Sequence, residues 1–248
     1  MSELRLLQPS DIPAAMQLVE AANWNQTPAD WTRTLSLAPG SCWGIFTDGQ
    51  LATDGQLATD GQLATDGQLA ATATAVRYTS GVVWIGMVLT APAYRGRGYA
   101  TRLLEQALQM EAACFRLDAT PMGAPLYRKL GFVDEQPIER WERPRAAVAY
   151  DARLLAALAG SGPCVGRPGR LAWYFGPWVG PGLETALQLT ISRRGGEAIC
   201  WDLFPSDAEA VTLAERYGFE RRRELVRMRR GPFLPDVPAR AICGFEFG

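Results

Sequence analysis

Between Val82 and Ala107 an apolar run ending at Thr90 leads through Ala91-Pro92-Ala93-Tyr94 into Arg95-Gly96-Arg97-Gly98-Tyr99-Ala100-Thr101. After it, Leu103, Leu104, Ala107 and Leu108 recur at helical spacing. A strand that feeds a glycine loop and then a helix start builds an anion site. The loop amides and the unpaired first-turn N–H groups point at one place, and the helix dipole adds partial positive charge there. Gly96 and Gly98 let a diphosphate approach the backbone, and Arg95 and Arg97 add charge. A Walker A loop is excluded, because no G-x-x-x-x-G-K-[ST] occurs. A dinucleotide fingerprint fails at its third glycine, where Thr101 stands, and the preceding strand reads as the second arm of a hairpin.

The rest of the composition narrows the chemistry. The chain has 248 residues, no histidine, and one lysine, Lys129, among 25 basic residues. A Ser/His/Asp triad, a Cys/His dyad, a His-ligated metal and a His base are therefore impossible. Proton transfer falls to Tyr, Asp, Glu, Cys, Lys129 or water. The formal net charge of -1 argues against a whole-chain nucleic-acid footprint. No apolar run has the length of a membrane span, so no membrane partner is expected. The five cysteines (Cys42, Cys114, Cys164, Cys200, Cys243) form no C-x-x-C pair. Without a secretory pattern before them they read as reduced, buried thiols in a cytoplasm.

These residues need elements to hold them. Leu4–Leu7 opens as a strand, Ser10 or Asp11 can cap a first helix, and Thr27-Pro28 starts a second. Cys42–Thr47 and Ala71–Tyr78 read as strands. Between them, residues 47–70 are the hexamer Thr-Asp-Gly-Gln-Leu-Ala written four times without error. One Asp-Gly would close a hairpin, so three copies are surplus. A loop insertion of this kind is compatible with an unchanged host fold. A Thr79-Ser80-Gly81 turn joins Ala71–Tyr78 to the Val82–Thr90 strand. Phe115–Ala119, Pro125–Leu130 and Phe132-Val133 follow as strand, helix and strand, and Arg140–Arg145 reads as a polar linker.

Arg95-x-x-Gly98-x-Ala100 after an apolar strand, with Leu126-Tyr127-Arg128-Lys129-Leu130-Gly131-Phe132 downstream, resembles the GNAT N-acetyltransferases. The resemblance covers residues 1 to about 143. It implies an α/β (α+β) fold, a mixed and mostly antiparallel sheet flanked by helices. It also implies acetyl-CoA as co-substrate with no metal, its pyrophosphate held by Arg95, Gly96, Arg97, Gly98, Tyr99, Ala100 and Thr101. Backbone near Met87, Val88 and Leu89 would polarise the thioester. Tyr127 matches the family's general acid. Asp118 and Glu20, with Asp30 or a water chain, are candidates for the base. Trp24, Asn25 and Trp31, at the junction of the first two helices, are candidates for the wall of an acceptor pocket.

Residues 150–248 echo the first half. Cys200-Trp201-Asp202 parallels Arg116-Leu117-Asp118, and Leu213–Phe219 parallels Leu126–Phe132, with Tyr217 one turn later than Tyr127. No R-x-x-G-x-G/A precedes the echo. Gly176–Gly182 stands there, and its prolines lack N–H donors. The expectation is a degenerate GNAT-like domain (150–248) behind a catalytic one (1–143), a pattern similar to a bacterial subgroup of two-domain members. Arg221–Arg223 and Arg227–Arg230 read as a strand with a solvated arginine face. The expected activity is acetylation of a primary amine on a small molecule (an amine, an amino acid or an amine-bearing antibiotic), with a homodimer left open. The contrasting reading is a non-catalytic acyl-CoA-binding or protein-interaction module, with the repeat as its contact surface.

Overall fold

The computed structural model describes residues 1–48, 67–145, 165–235, 239–242 and 244–246. The interior of the hexamer repeat, the Ala/Leu-rich stretch Asp151–Ala159 (whose sequence predicts a helix), Cys164 and Cys243 lie outside the described residues. Two compact units emerge: residues 1–24, 28–76 and 87–111 in one, and 25–27, 77–86 and 112–248 in the other. The fold is mixed α/β with a mostly antiparallel sheet flanked by helices.

In the first unit β1 (Ser2–Leu6) pairs antiparallel with β2 (Cys42–Thr47), and β2 with β3 (Gln68–Arg77). Helices α1 (Ile12–Ala21), α2 (Pro28–Leu37) and α3 (Tyr99–Ala107) accompany them. All but the two end residues of β3 are buried. That explains its Ala/Thr sequence, since small residues let both faces be covered closely. Leu18, Val19, Trp31, Phe46, Leu69, Met87 and Leu89 share one core. Asp11 precedes α1 but does not cap it with its side chain. Its carboxylate accepts from the Gln8 N–H and from both terminal guanidinium nitrogens of Arg5.

Strand β4 (Val82–Thr90) gives Met87–Thr90 to the first unit and Val82–Gly86 to the second. The second unit adds β5 (Cys114–Ala119), α4 (Ala124–Lys129), β6 (Val133–Arg143), β7 (Trp173–Phe175) and β8 (Trp178–Val179). Helix α5 (Leu183–Arg194), β9 (Ile199–Leu203), α6 (Ala208–Arg216), β10 (Glu220–Arg230) and β11 (Ala239–Ala241) complete it. Its strands run β4-β5-β10-β6-β9-β7, with β4·β5 and β7·β9 parallel and the middle pairs antiparallel.

That order corrects the expected linker. β6 continues through Arg143, and Arg140, Trp141 and Arg143 are buried. Arg140 is held there by a bidentate pair with Asp202, 2.7 Å at each contact. The basic stretch is the strand β10, as expected, but its arginine face is not wholly solvated. Arg227 is buried against Asp118.

Candidate active site

The loop before α3 has the geometry its glycines permit. Gly98 is the N-cap of α3 in the left-handed region (φ 77°, ψ 6°), and Gly96 has φ 76°. An L-residue at either place costs roughly 1–2 kcal/mol. A Cβ at Gly96 or Gly98 would meet nothing within 4 Å, and residues 95–98 are exposed. The loop is thus an open cradle that fits a phosphate-bearing ligand. Ala100 and Thr101 are half-buried in the first turn of α3. From behind, the cradle is fixed by Tyr94. Its hydroxyl accepts from Thr47 Oγ1 at 3.0 Å and donates to Gln68 Oε1 at 3.1 Å. Its ring lies 6.2 Å from that of Tyr99, and Arg97 sits over it at 5.1 Å. Thr47 and Gln68 are a cross-strand pair at the base of the hexamer repeat. Sequence reasoning had no signal for this link, because tertiary pairing alone brings Gln68 to Tyr94.

Met87 in β4 has φ 49°, a conformation sparsely populated by non-glycine residues. Such a residue turns its peptide planes out of the ladder and persists only when its surroundings hold it. Its carbonyl accepts the Thr72 hydroxyl at 2.8 Å, and its side chain is buried in the first core. Leu89 is buried in the same core, and Val88 is half-buried. Thr72 was not legible beforehand, being one threonine in an Ala/Thr strand.

Tyr127 lies on α4, buried, with its ring edge-on to Phe132 at 6.0 Å. Burial pushes its hydroxyl well above the ordinary tyrosine range, so it holds its proton at neutral pH. Gly123 gives it room, since a Cβ there would come 3.0 Å from the ring. The Asp118 side chain is fully buried on β5 and bound to Arg227 through Oδ1 (2.9 Å) and Oδ2 (3.1 Å). A carboxylate gripped through both oxygens is a poor proton acceptor, so the geometry argues against Asp118 as the base. Glu20 is exposed on α1.

The acceptor-wall residues land differently from the expectation. Trp31 has no exposed surface and belongs to the first core, and Trp24 packs against that core. Asn25 is buried with its amide engaged at both ends. Nδ2 donates to Ala172 O at 2.9 Å, and Oδ1 accepts the Leu171 and Ala172 amides. A buried amide finds backbone partners before it waits for a ligand. Among the described cysteines, burial raises all three thiols, Cys42 to about 12, which agrees with their reading as packing residues.

The second half repeats the positive-φ glycine pair before a helix. Gly182 N-caps α5 at φ 79°, and Gly180 has φ 89°, as Gly98 and Gly96 do before α3. Pro181 removes an amide donor, and Glu184 puts a negative charge in the first turn. Tyr217 is committed as well, donating to Glu184 at 2.9 Å and accepting from Gln188 at 2.6 Å.

Residues 57–134 match the family model described as an acetyltransferase (GNAT) domain. That stretch, under a third of the chain, is similar to GNAT domains. The chain's fold is that of solved GNAT structures. A Pyrococcus horikoshii protein described as an acetyltransferase superposes with a TM-score of 0.70 at 17% identity, over 99% of this chain and 95% of that one. A GCN5-related N-acetyltransferase from Sphaerobacter thermophilus gives 0.62 at 16% identity, over 94% and 98%. No curated protein matches the chain. The match to that model supports acetyl-CoA-dependent acetyl transfer. Among the described residues no helix is long and apolar enough to cross a membrane, and no His/Cys/Asp/Glu group is arranged to hold a metal.

Proposed function

We propose that the chain is an N-acetyltransferase that moves the acetyl group of acetyl-CoA to a primary amine of a small molecule. The observation that carries this reading is the open Gly96–Gly98 cradle at the start of α3, braced by Tyr94. Amides of residues 96–100, with Arg95 and Arg97, hold the pyrophosphate. The backbone at Met87–Leu89, turned out of the ladder, supplies an N–H to the thioester oxygen. The neutral amine attacks the carbonyl carbon, the C–N bond forms and the C–S bond breaks. Tyr127 gives its proton to the departing thiolate and regains one from solvent, and burial keeps the hydroxyl protonated between turnovers. With Asp118 engaged, water relays the amine's proton to solvent, and Glu20 is the exposed carboxylate that can receive it. Residues 1–143 form the catalytic domain. Residues 150–248 form a degenerate copy, a reading supported by Gly180/Gly182 and by the loss of donors around them. Burial of Cys42, Cys114 and Cys200 as separate thiols supports a cytoplasmic setting.

The test is thermal stabilisation by acetyl-CoA, followed by thiol release against a panel of amines. Stabilisation with turnover on an amine is expected. Stabilisation without turnover on any amine would instead favour the non-catalytic acyl-CoA-binding module, and no stabilisation would refute both.

A further inference from the structure

The second unit is built from two strand–helix–strand repeats that have exchanged their last strands. β5-α4-β6 and β9-α6-β10 have the same order, yet β5 pairs with β10 and β9 with β6. The register obeys a pseudo-twofold. Pro137 faces Val226 and Glu139 faces Glu224, while Ile138 and Leu225 face each other at the centre. The same operation relates two buried ion pairs. Arg227 from β10 grips Asp118 on β5, and Arg140 from β6 grips Asp202 on β9. Each guanidinium also lies over an aromatic ring of the neighbouring parallel strand. For Arg227 the ring is Trp84, 4.7 Å away, and for Arg140 it is Tyr174, 5.3 Å away. Trp84 pairs with Arg116 two residues before Asp118, and Tyr174 pairs with Cys200 two residues before Asp202.

The twins differ in where the parallel ladder ends. The β7·β9 ladder runs on to Phe175–Trp201, whereas the β4·β5 ladder stops at Trp84–Arg116 although β5 continues to Ala119. In the first repeat the strands diverge a pair sooner, and Arg227 spans the divergence. Its fork holds Asp118 on one side and its flat face covers Trp84 on the other. Beyond Trp84, β4 leads to Gly86 and Met87. Beyond Asp118, β5 leads through the Thr120 turn, whose carbonyl accepts the Gly123 and Ala124 amides, into α4 and Tyr127.

We propose that Arg227 is a positioning residue for acetyl transfer. It is a strut, supplied by the exchanged strand, that fixes the separation of β4 and β5 and so the placing of the helix that carries Tyr127. This rests on the acetyltransferase reading. Lysine in its place keeps the charge but loses the bidentate fork and the flat face. Arg140 is the internal control, with the same burial, the same pairing and the same kind of ring, in the repeat that lacks a working cradle.

The experiment compares Arg227→Lys with Arg140→Lys in the full chain. Tm, acetyl-CoA binding, kcat and KM, and amide hydrogen exchange are measured for both. Similar losses of Tm are expected. Arg227→Lys should lower kcat by about tenfold or more and speed exchange at Leu117–Ala119. Arg140→Lys should leave kcat and KM within about twofold and speed exchange at Trp201–Leu203 instead. Equal kinetic losses in the two variants, an unchanged kcat in Arg227→Lys, or unchanged exchange at Leu117–Ala119 would each overturn the strut. Wild-type chain that neither binds acetyl-CoA nor releases thiol would overturn the acetyltransferase reading itself, a result separate from these three.

Discussion

Gly98 and Tyr127 carry the two claims that single substitutions can separate. At Gly98 the backbone sits at φ 77° with open space around a would-be Cβ. Gly98→Ala therefore costs backbone strain of roughly 1–2 kcal/mol rather than a clash within the protein. Gly98→Asp adds a negative charge where phosphate is to sit. Its expected outcome is loss of acetyl-CoA stabilisation, with a Tm close to that of Gly98→Ala. Tyr127→Phe should lower kcat by about 10²-fold or more while leaving acetyl-CoA affinity nearly unchanged, as calorimetry and steady-state rates would register. The pH profile adds a sign. Burial raises the Tyr127 pKa, so the folded state keeps this proton above pH 10, where the unfolded chain loses it. Stability from this source is complete below the ordinary tyrosine pKa and falls as pH rises beyond it. Tyr127→Phe should flatten that alkaline fall in Tm, and no basic limb of the rate below pH 9 should belong to Tyr127.

Two elements hold their ends by identifiable contacts. Asp207 N-caps α6, accepting the Ala210 amide at 3.0 Å and pairing with Arg240. Hydrogen bonding from Arg240 holds its carboxyl below the usual range in spite of partial burial. Its contribution is therefore present above the unfolded-state pKa and lost as pH falls through the lowered folded value. Asp207→Ala should cost about 1 kcal/mol at pH 7, and the difference from wild type should shrink as pH falls below the ordinary carboxylate range in urea titrations. The β2–β3 hairpin gives a cleaner test. Thr47 and Gln68 are paired, so removing residues 49–66 leaves Asp48-Gly67 as a two-residue turn of the kind hairpins favour. The shortened chain should fold with an equal or higher Tm, since less closure entropy opposes the pairing. It should also keep acetyl-CoA binding, because the Thr47–Tyr94–Gln68 brace survives.

For the molecule as a whole, the exchanged strands have a mechanical consequence. β10 lies between β5 and β6, and β6 lies between β10 and β9, so each repeat is completed by the other. A protease site placed within residues 146–164 and cut after folding should yield two fragments that co-elute under native conditions and separate only in denaturant. Fragments that come apart without denaturant would contradict the interleaved order. The arrangement also gives the C-terminal half a task. Without β10, Asp118 would be a buried carboxylate without Arg227, a defect that typically costs 3–5 kcal/mol.

Local signals in the chain were enough for the cradle. Arg95–Thr101 after an apolar strand, the Gly131 stop after α4 and the hairpin around Gly81 all follow from glycine's tolerance of positive φ and from apolar periodicity. Both are properties of neighbours in the chain, so they survive without knowledge of the fold. The status of polar side chains was decided elsewhere. Asp118, Arg140 and Arg227 are indistinguishable from solvated charges until strands far apart in sequence are laid side by side. Arg140 then ceases to belong to a linker, and Asp118 ceases to be a free base. Asn25 and Trp31 likewise turn out to be a backbone pin and a core residue. Desolvation and the choice of partner are long-range quantities, set by which strand lies next to which, and only the tertiary structure contains them.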